Sequence, residues 1–273
     1  MKERLKKENL FSEINDIKSY ILGFIYADGC VCKNGNETSI EIGEKDFENI
    51  KNIINKLGGW SINKRKRLSK QTGKVYITYR FRYFSNLTNL FLAENDYNVK
   101  SYVTPFKILN MIPKELHSHF FRGYIDGDGS FSFYGESACK FNITSTIEQD
   151  WSAIEELFKE INISVYKIYK YIRKSGNSSL ISISNKWDVM KLGEYLYKGS
   201  DDIRLERKFE KYLEIKNSNI QKRNNNWSVD ECSFLMDNYK SKGIGFCSEN
   251  LKRSKNAINT KIYELKKQTV TII

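Results

Sequence analysis

The spacing of apolar residues along this 273-residue chain changes several times, and each change marks an element. Residues 17–28 are apolar on nearly every side, which predicts a buried helix. Segments 30–33 and 38–43 have strand character, with Ile40 and Ile42 alternating with polar residues. Residues 45–57 return to helical spacing, with Phe47, Ile50, Ile53, Ile54 and Leu57 on one face and Gly58-Gly59 as the stop. Segments 60–67 and 75–84 read as a hairpin turned near Thr72-Gly73, and 87–92 as a further helix. The order is α-β-β-α-β-β-α.

The same order then recurs. A helix is expected over 115–128, a hairpin over 130–134 and 140–145, and a helix over 148–161 with Ile154, Leu157, Phe158 and Ile161 on one face. A second hairpin follows over 163–173 and 179–184, turned at Ser175-Gly176-Asn177, with helices over 187–197 and 205–216. Repetition at this scale implies two similar units about a pseudo-two-fold axis. The expected fold class is α+β. Two αββαββα units, 1–110 and 111–216, would bring two antiparallel sheets edge to edge as a saddle, with helices on the outer face. Residues 217–226 are polar, carry no apolar period and read as a linker.

Residues 227–273 read as a small all-α unit. Ser228 is placed to cap a helix, with Glu231 three residues on, and Gly243 and Gly245 break that helix. Ser254 caps a last helix running to about residue 267, with Ile258, Ile262 and Leu265 inward and Lys255, Asn256, Asn259, Lys261, Lys266 and Lys267 outward. A capped helix with a basic, polar face is similar to the recognition helix of a helix-turn-helix unit. Arg253, Lys255, Asn259 and Lys261 are its candidate DNA contacts.

Charge narrows the class of partner. The chain has 45 Lys plus Arg against 33 Asp plus Glu, a formal net charge of +12, which favours a polyanion. Basic residues and tyrosines interleave at the equivalent hairpin of each half. In the first they are Asn63, Lys64, Arg65, Lys66 and Arg67, then Tyr79, Arg80 and Arg82; in the second, Lys167, Tyr169, Lys170, Tyr171, Arg173 and Lys174. Such strands would line a nucleic-acid groove. No apolar run reaches the roughly 18–20 residues of a membrane span, and the charged first residues lack the core of a secretion signal. The expectation is therefore a protein that is not secreted and has no membrane partner. Five scattered cysteines read as reduced thiols of a cytosolic protein, and His117 and His119, just ahead of a helical pattern, read as structural.

Chemistry concentrates in one repeated segment. Residues 21–29 are ILGFIYADG and residues 121–129 are FRGYIDGDG, the second following the first by 100 positions. Gly23 and Ala27, like Gly123 and Gly127, are small residues one helical turn apart, so the two helices can pack closely as the interface between halves. Their ends would then deliver Asp28 and Asp128 side by side, with Gly29 and Gly129 ending the helices in the left-handed conformation. Two adjacent carboxylates at helix C-termini repel each other and oppose the helix dipoles, so the arrangement calls for divalent cations.

These two segments resemble the paired motifs of single-chain LAGLIDADG homing endonucleases, and the shared element order extends the resemblance over roughly residues 15–216. It implies a site-specific, double-strand DNA endonuclease that straddles a long asymmetric target, cuts across the minor groove and leaves 3′ overhangs. It also implies Mg²⁺ at Asp28 and Asp128, with Gly29 and Gly129 beside them; Mn²⁺ would substitute, and Ca²⁺ would bind without supporting cleavage. Tyr26 departs from the motif where Asp126 keeps the earlier acidic residue. By position, Lys100 and Lys198 are the candidate basic residues of the two active sites, and Glu44 and Ser145 the candidate polar partners. The tail separately resembles a Myb/SANT-type unit, through its tryptophan, the Leu251–Ser254 turn and Ala257–Lys261. The expected protein is a monomer of the cytoplasm or an organelle. The rival reading is a LAGLIDADG-derived binder without cleavage, an intron maturase or a transcription regulator. Both motif aspartates being present favours the enzyme, because a binder has no need of close like charges.

Overall fold

The computed structural model describes residues 8–32, 36–68, 73–134, 138–173, 176–220 and 227–270. The chain divides into two compact units, Met1–Gln221 and Lys222–Ile273. Ile220 packs on the core of the first unit and the Lys186 ammonium donates to the Ser218 carbonyl, so residues 217–220 belong to that unit rather than to a linker.

The first unit is an α+β fold with two four-stranded antiparallel sheets. Its first half runs α1 (Asp16–Asp28), β1 (Gly29–Val31), β2 (Glu37–Gly43), α2 (Phe47–Leu57), β3 (Ser61–Leu68), β4 (Val75–Phe84) and α3 (Asn86–Glu94), then a single turn, α4 (Phe106–Leu109). The second half runs α5 (His117–Asp128), β5 (Gly129–Tyr134), β6 (Ala138–Ser145), α6 (Ser152–Glu160), β7 (Lys167–Tyr171), β8 (Ser178–Ile183), α7 (Lys186–Tyr197) and α8 (Glu206–Asn217). Strand orders correspond: β1-β2-β4-β3 and β5-β6-β8-β7. The two sheets remain separate, with no strand pairing between them among the described residues, where edge-to-edge pairing was expected.

The halves are joined chiefly by α1 against α5, the most extensive helix contact in the molecule. A Cβ built on Gly23 would lie 1.9 Å from the Phe120 carbonyl oxygen, and one on Gly123 would lie 1.9 Å from that of Tyr20. The matching clashes express the pseudo-symmetry directly, and they show why neither position accepts a side chain. One turn on, a Cβ on Gly127 would meet the Ala27 methyl at 2.3 Å.

Two boundaries move for local reasons. The helix expected from 148 begins at Ser152, because Asp150 Oδ1 accepts from both the amide and the hydroxyl of Ser152. The strand expected from 163 begins at Lys167, because the Ile163 amide still caps α6 through the Phe158 carbonyl.

The described residues of the second unit form three helices, α9 (Val229–Asn238), α10 (Gly243–Asn250) and α11 (Lys255–Val270), around Leu235, Cys247, Ile258 and Ile262. Ser228 and Glu231 form a reciprocal capping box on α9. Gly243, at φ +82°, opens α10 where a break was expected.

Candidate metal centre

Asp28 and Asp128 end α1 and α5, and the close approach of Gly127 to Ala27 and the Asp28 amide brings those ends together. Asp28 is exposed and Asp128 half-buried. Burial, and then the Asp28 charge, push the Asp128 carboxyl up to about 6, with Lys100 and Lys208 pulling the other way. Gly29 and Gly129 cap the helices at φ −75° and −83°, not in the left-handed region expected of them. Glycine is required here for room: a Cβ would sit 2.5 Å from the Ile25 carbonyl oxygen, or 2.7 Å from that of Ile125.

Each helix end is gripped by a lysine. Lys100 Nζ donates to the carbonyls of Ile25 (3.2 Å), Ala27 (2.6 Å) and Gly29 (3.3 Å). Lys208 Nζ donates to those of Ile125 (3.0 Å), Gly127 (3.2 Å) and Gly129 (2.6 Å). Cations here bond the carbonyls that close each helix and oppose its negative end. Burial lowers Lys100 to about 8 and also lowers Lys208, while the nearby aspartates hold both up.

Lys208, not Lys198, is thus the counterpart of Lys100. Lys198 is exposed and lines a surface cavity with Glu115, Glu160 and Tyr195. Counting elements from the second hairpin stops at the end of α7, whereas the second half places its lysine on α8. Lys208 lies in the apolar stripe Leu205, Lys208, Tyr212, Ile215, all buried. A lysine inside such a stripe is the signal that could have found it, since buried lysines are almost always paired.

Tyr26 and Asp126 differ in chemistry and agree in task. The Tyr26 hydroxyl donates to the Asn95 carbonyl at 2.5 Å, tying α1 to the segment that carries Lys100. Asp126 accepts from the Leu205 amide at 2.7 Å and the Tyr20 hydroxyl at 2.9 Å, tying α5 to the start of the helix that carries Lys208. Burial raises the Asp126 carboxyl to about 6 despite these donors.

The donor set suits a hard cation with an open shell. Two carboxylates face the site, and no third His, Cys, Asp or Glu joins them among the described residues. The Gly29 carbonyl accepts from the Tyr97 hydroxyl as well as Lys100, and that of Gly129 accepts from Lys208, so both glycine carbonyls already serve the lysines that hold the helix ends. Mg²⁺ characteristically takes one or two carboxylates and completes its shell with water and phosphate oxygens. Of the polar candidates, Glu44 is exposed in the turn after β2, and Ser145 donates to Gln149 at 2.7 Å.

No family model and no curated protein matches the chain. Among solved structures, it is similar to "The homing endonuclease I-WcaI bound to its DNA recognition sequence", at 16% identity and TM-score 0.47, over 76% of this chain and 88% of that one. It is similar to the I-LtrWI LAGLIDADG homing endonuclease bound to target DNA, at 15% identity and TM-score 0.37, over 77% and 98%. It is also similar to the N-terminal LAGLIDADG domain of DUF199/WhiA, at 15% identity and TM-score 0.41, over 69% and 86%. All three TM-scores are below 0.5.

Strand register sorts the candidate nucleic-acid contacts by face. Arg80 lies opposite Glu41 on β2 and Asn63 on β3, and Arg82 opposite Ser39 and Ser61. Arg65 and Arg67 belong to the same face, which turns away from the hydrophobic core. Lys64 and Lys66 point the other way: Lys64 lies opposite Tyr79, 5.6 Å from its ring, on the side where Phe47 of α2 stacks. In the second sheet Lys167 and Tyr169 share a face with Asn142 and Ser182, and Arg173 packs on the Tyr171 ring at 4.5 Å. Lys170 lies opposite Ser179 on the core side, and Lys174 lies outside the described residues.

In the second unit Arg253 is committed internally. Its Nε bonds Glu231 at 2.8 Å and its guanidinium covers the Trp227 ring at 4.3 Å, so it joins α9 to the turn before α11. Lys261 pairs with Glu264 at 3.1 Å, while Lys255, Asn256 and Asn259 are exposed on α11.

Proposed function

We propose that this chain is a site-specific DNA endonuclease of the LAGLIDADG type, hydrolysing both strands of a long asymmetric target with Mg²⁺ and leaving 3′ overhangs. The observation that carries the reading is the convergence of Asp28 and Asp128 at the ends of two helices in backbone contact, each end held by its own lysine. Two like charges at neighbouring helix ends gain nothing structurally, and a cation with a bound phosphate accounts for them.

Asp28 and Asp128 would hold the metal ions. Divalent cations, when bound, lower the pKa of a coordinated water and neutralise charge on a leaving oxygen. Lys100 and Lys208 fix the two helix ends and offset the negative potential there, which favours approach of a phosphate. Arg65, Arg67, Arg80 and Arg82, with Lys167, Tyr169 and Arg173, would contact the duplex on either side. The second unit would add contacts through Lys255, Asn256 and Asn259 of α11, raising the local concentration of target. A single chain carries both half-sites, so a monomer suffices. Mn²⁺ would replace Mg²⁺, and Ca²⁺ would bind without cutting.

The experiment is a cleavage selection: the purified chain with a library of duplex DNA in Mg²⁺, followed by sequencing of the ends. Cuts at one site, lost in Asp28→Asn and Asp128→Asn, are expected. Sequence-specific binding with no cutting in Mg²⁺ or Mn²⁺ would replace this reading with that of a non-cleaving binder.

A further inference from the structure

The two sheet faces that turn away from the core differ in their charge chemistry. On the first, every arginine is braced by a neighbouring carboxylate. Glu37 makes an ion pair with Arg80 at 2.7 Å and accepts from Arg82 Nε at 3.0 Å. Glu41 Oε2 accepts from Arg65 at 3.3 Å and from Arg67 at 2.9 Å, and Oε1 accepts from the Thr78 hydroxyl at 2.8 Å. Arg80 also donates to the Ser39 hydroxyl at 3.0 Å, and Arg82 to the Asn63 amide oxygen at 3.2 Å. Glu37, Glu41, Arg80 and Arg82 all keep less than a third of their side-chain surface exposed.

Among the described residues, the strands of the second sheet build no such lattice. Its four strands, GSFSFY, ACKFNITS, KIYKY and SSLISI, contain no aspartate or glutamate. Its outward face carries lysines, hydroxyls and stacked tyrosines, Tyr169 and Tyr171 having ring centroids 6.1 Å apart, and the one described arginine beside it, Arg173, packs on the Tyr171 ring at 4.5 Å.

This difference has a physical consequence for recognition. An arginine held by a carboxylate loses little freedom on binding and presents its remaining donors in a fixed fork, the geometry that reads guanine O6 and N7. The carboxylate also repels phosphate, so the same arginines gain less from contacts that carry no sequence information. Lysines are mobile point charges suited to phosphate, and tyrosine faces accept any base. Accepting the DNA-binding reading above, we infer that the two half-sites are read unequally. The first sheet, through the Glu37–Arg80–Arg82 and Glu41–Arg65–Arg67 clusters, specifies a guanine-containing half-site. The second grips its half-site largely without regard to sequence. Glu37 and Glu41 are positioning residues that set this specificity.

The test is a binding selection with the full chain in Ca²⁺ against a random duplex library, repeated with Glu37→Gln, Glu41→Gln, Arg80→Ala and Tyr169→Ala. The expected profile is lopsided, with guanines fixed on one arm, where each mismatch weakens binding about tenfold, and at most about threefold on the other. Arg80→Ala and both glutamate variants should relax the guanine arm alone. The glutamate variants should also bind unrelated duplex more tightly and with a steeper salt dependence, which loss of a merely structural brace would not produce. Tyr169→Ala should weaken binding without altering the profile. Equal information in both arms, or glutamate variants with unchanged profiles and salt slopes, would overturn the inference. Failure to bind any duplex would instead overturn the DNA-binding reading on which it rests.

Discussion

The two halves of the first unit reach one arrangement by different residues. Each presents an aspartate at a helix end, holds that end with a lysine, and ties the lysine's segment to the helix through the motif residue two positions before the aspartate. In the first half Tyr26 donates to a carbonyl and the lysine follows α3; in the second Asp126 accepts from an amide and the lysine lies on α8. What is common is the mechanical requirement at the helix end. The chemical means of meeting it differ, so side-chain identity alone is a poor guide to equivalence between the halves.

Substitutions at the pseudo-two-fold axis should have the greatest effect. Gly23→Val or Gly123→Val would drive a side chain into a facing carbonyl and separate α1 from α5. Either should cost at least about 3 kcal/mol, and urea unfolding should show it; a loss below about 1 kcal/mol would mean the helices can slide apart freely.

Next come the lysines. Lys208→Met should destabilise by about 2–3 kcal/mol, because it removes a cation from buried helix-end carbonyls. Lys100→Met should cost somewhat less, since Tyr97 also serves the Gly29 carbonyl. Lys198→Met, on the surface, should cost under about 0.5 kcal/mol. An equal effect of Lys198→Met and Lys208→Met would undo the pairing of Lys100 with Lys208.

A smaller effect concerns pH. Folding raises the Asp128 carboxyl from its ordinary range to about 6, so the folded chain holds that proton more tightly than the unfolded one. Stability from this group is therefore lost as pH rises from about 4 through about 6. Asp128→Asn should be nearly neutral below that window and more stable than the wild type above it, by on the order of 2 kcal/mol without metal. Thermal melts across pH 4–8 check this, and Mg²⁺ should narrow the gap by stabilising only the wild type.

The helix pair, the doubled aspartates and the α+β order were legible in the sequence because each leaves a periodic signature: apolar residues all round a helix, small residues one turn apart, two-residue alternation in strands. Three features were not. Lys208 was displaced by one helix from the place that counting elements indicates. Lys64, Lys66 and Lys170 were grouped with their neighbours as one basic run, although adjacent strand residues face opposite ways. Gly29 and Gly129 suggested a left-handed turn, but the constraint on them is a carbonyl one turn back, which only the packed backbone reveals.

A carboxyl NMR titration of Asp128 reads whether Asp28 and Asp128 share one site. In the wild type Asp128 should titrate near 6, and in Asp28→Asn its pKa should fall clearly, leaving only the part due to burial. A pKa near 6 that is unmoved by Asp28→Asn would mean that the two carboxylates do not sense each other, and the shared metal centre would be lost with them.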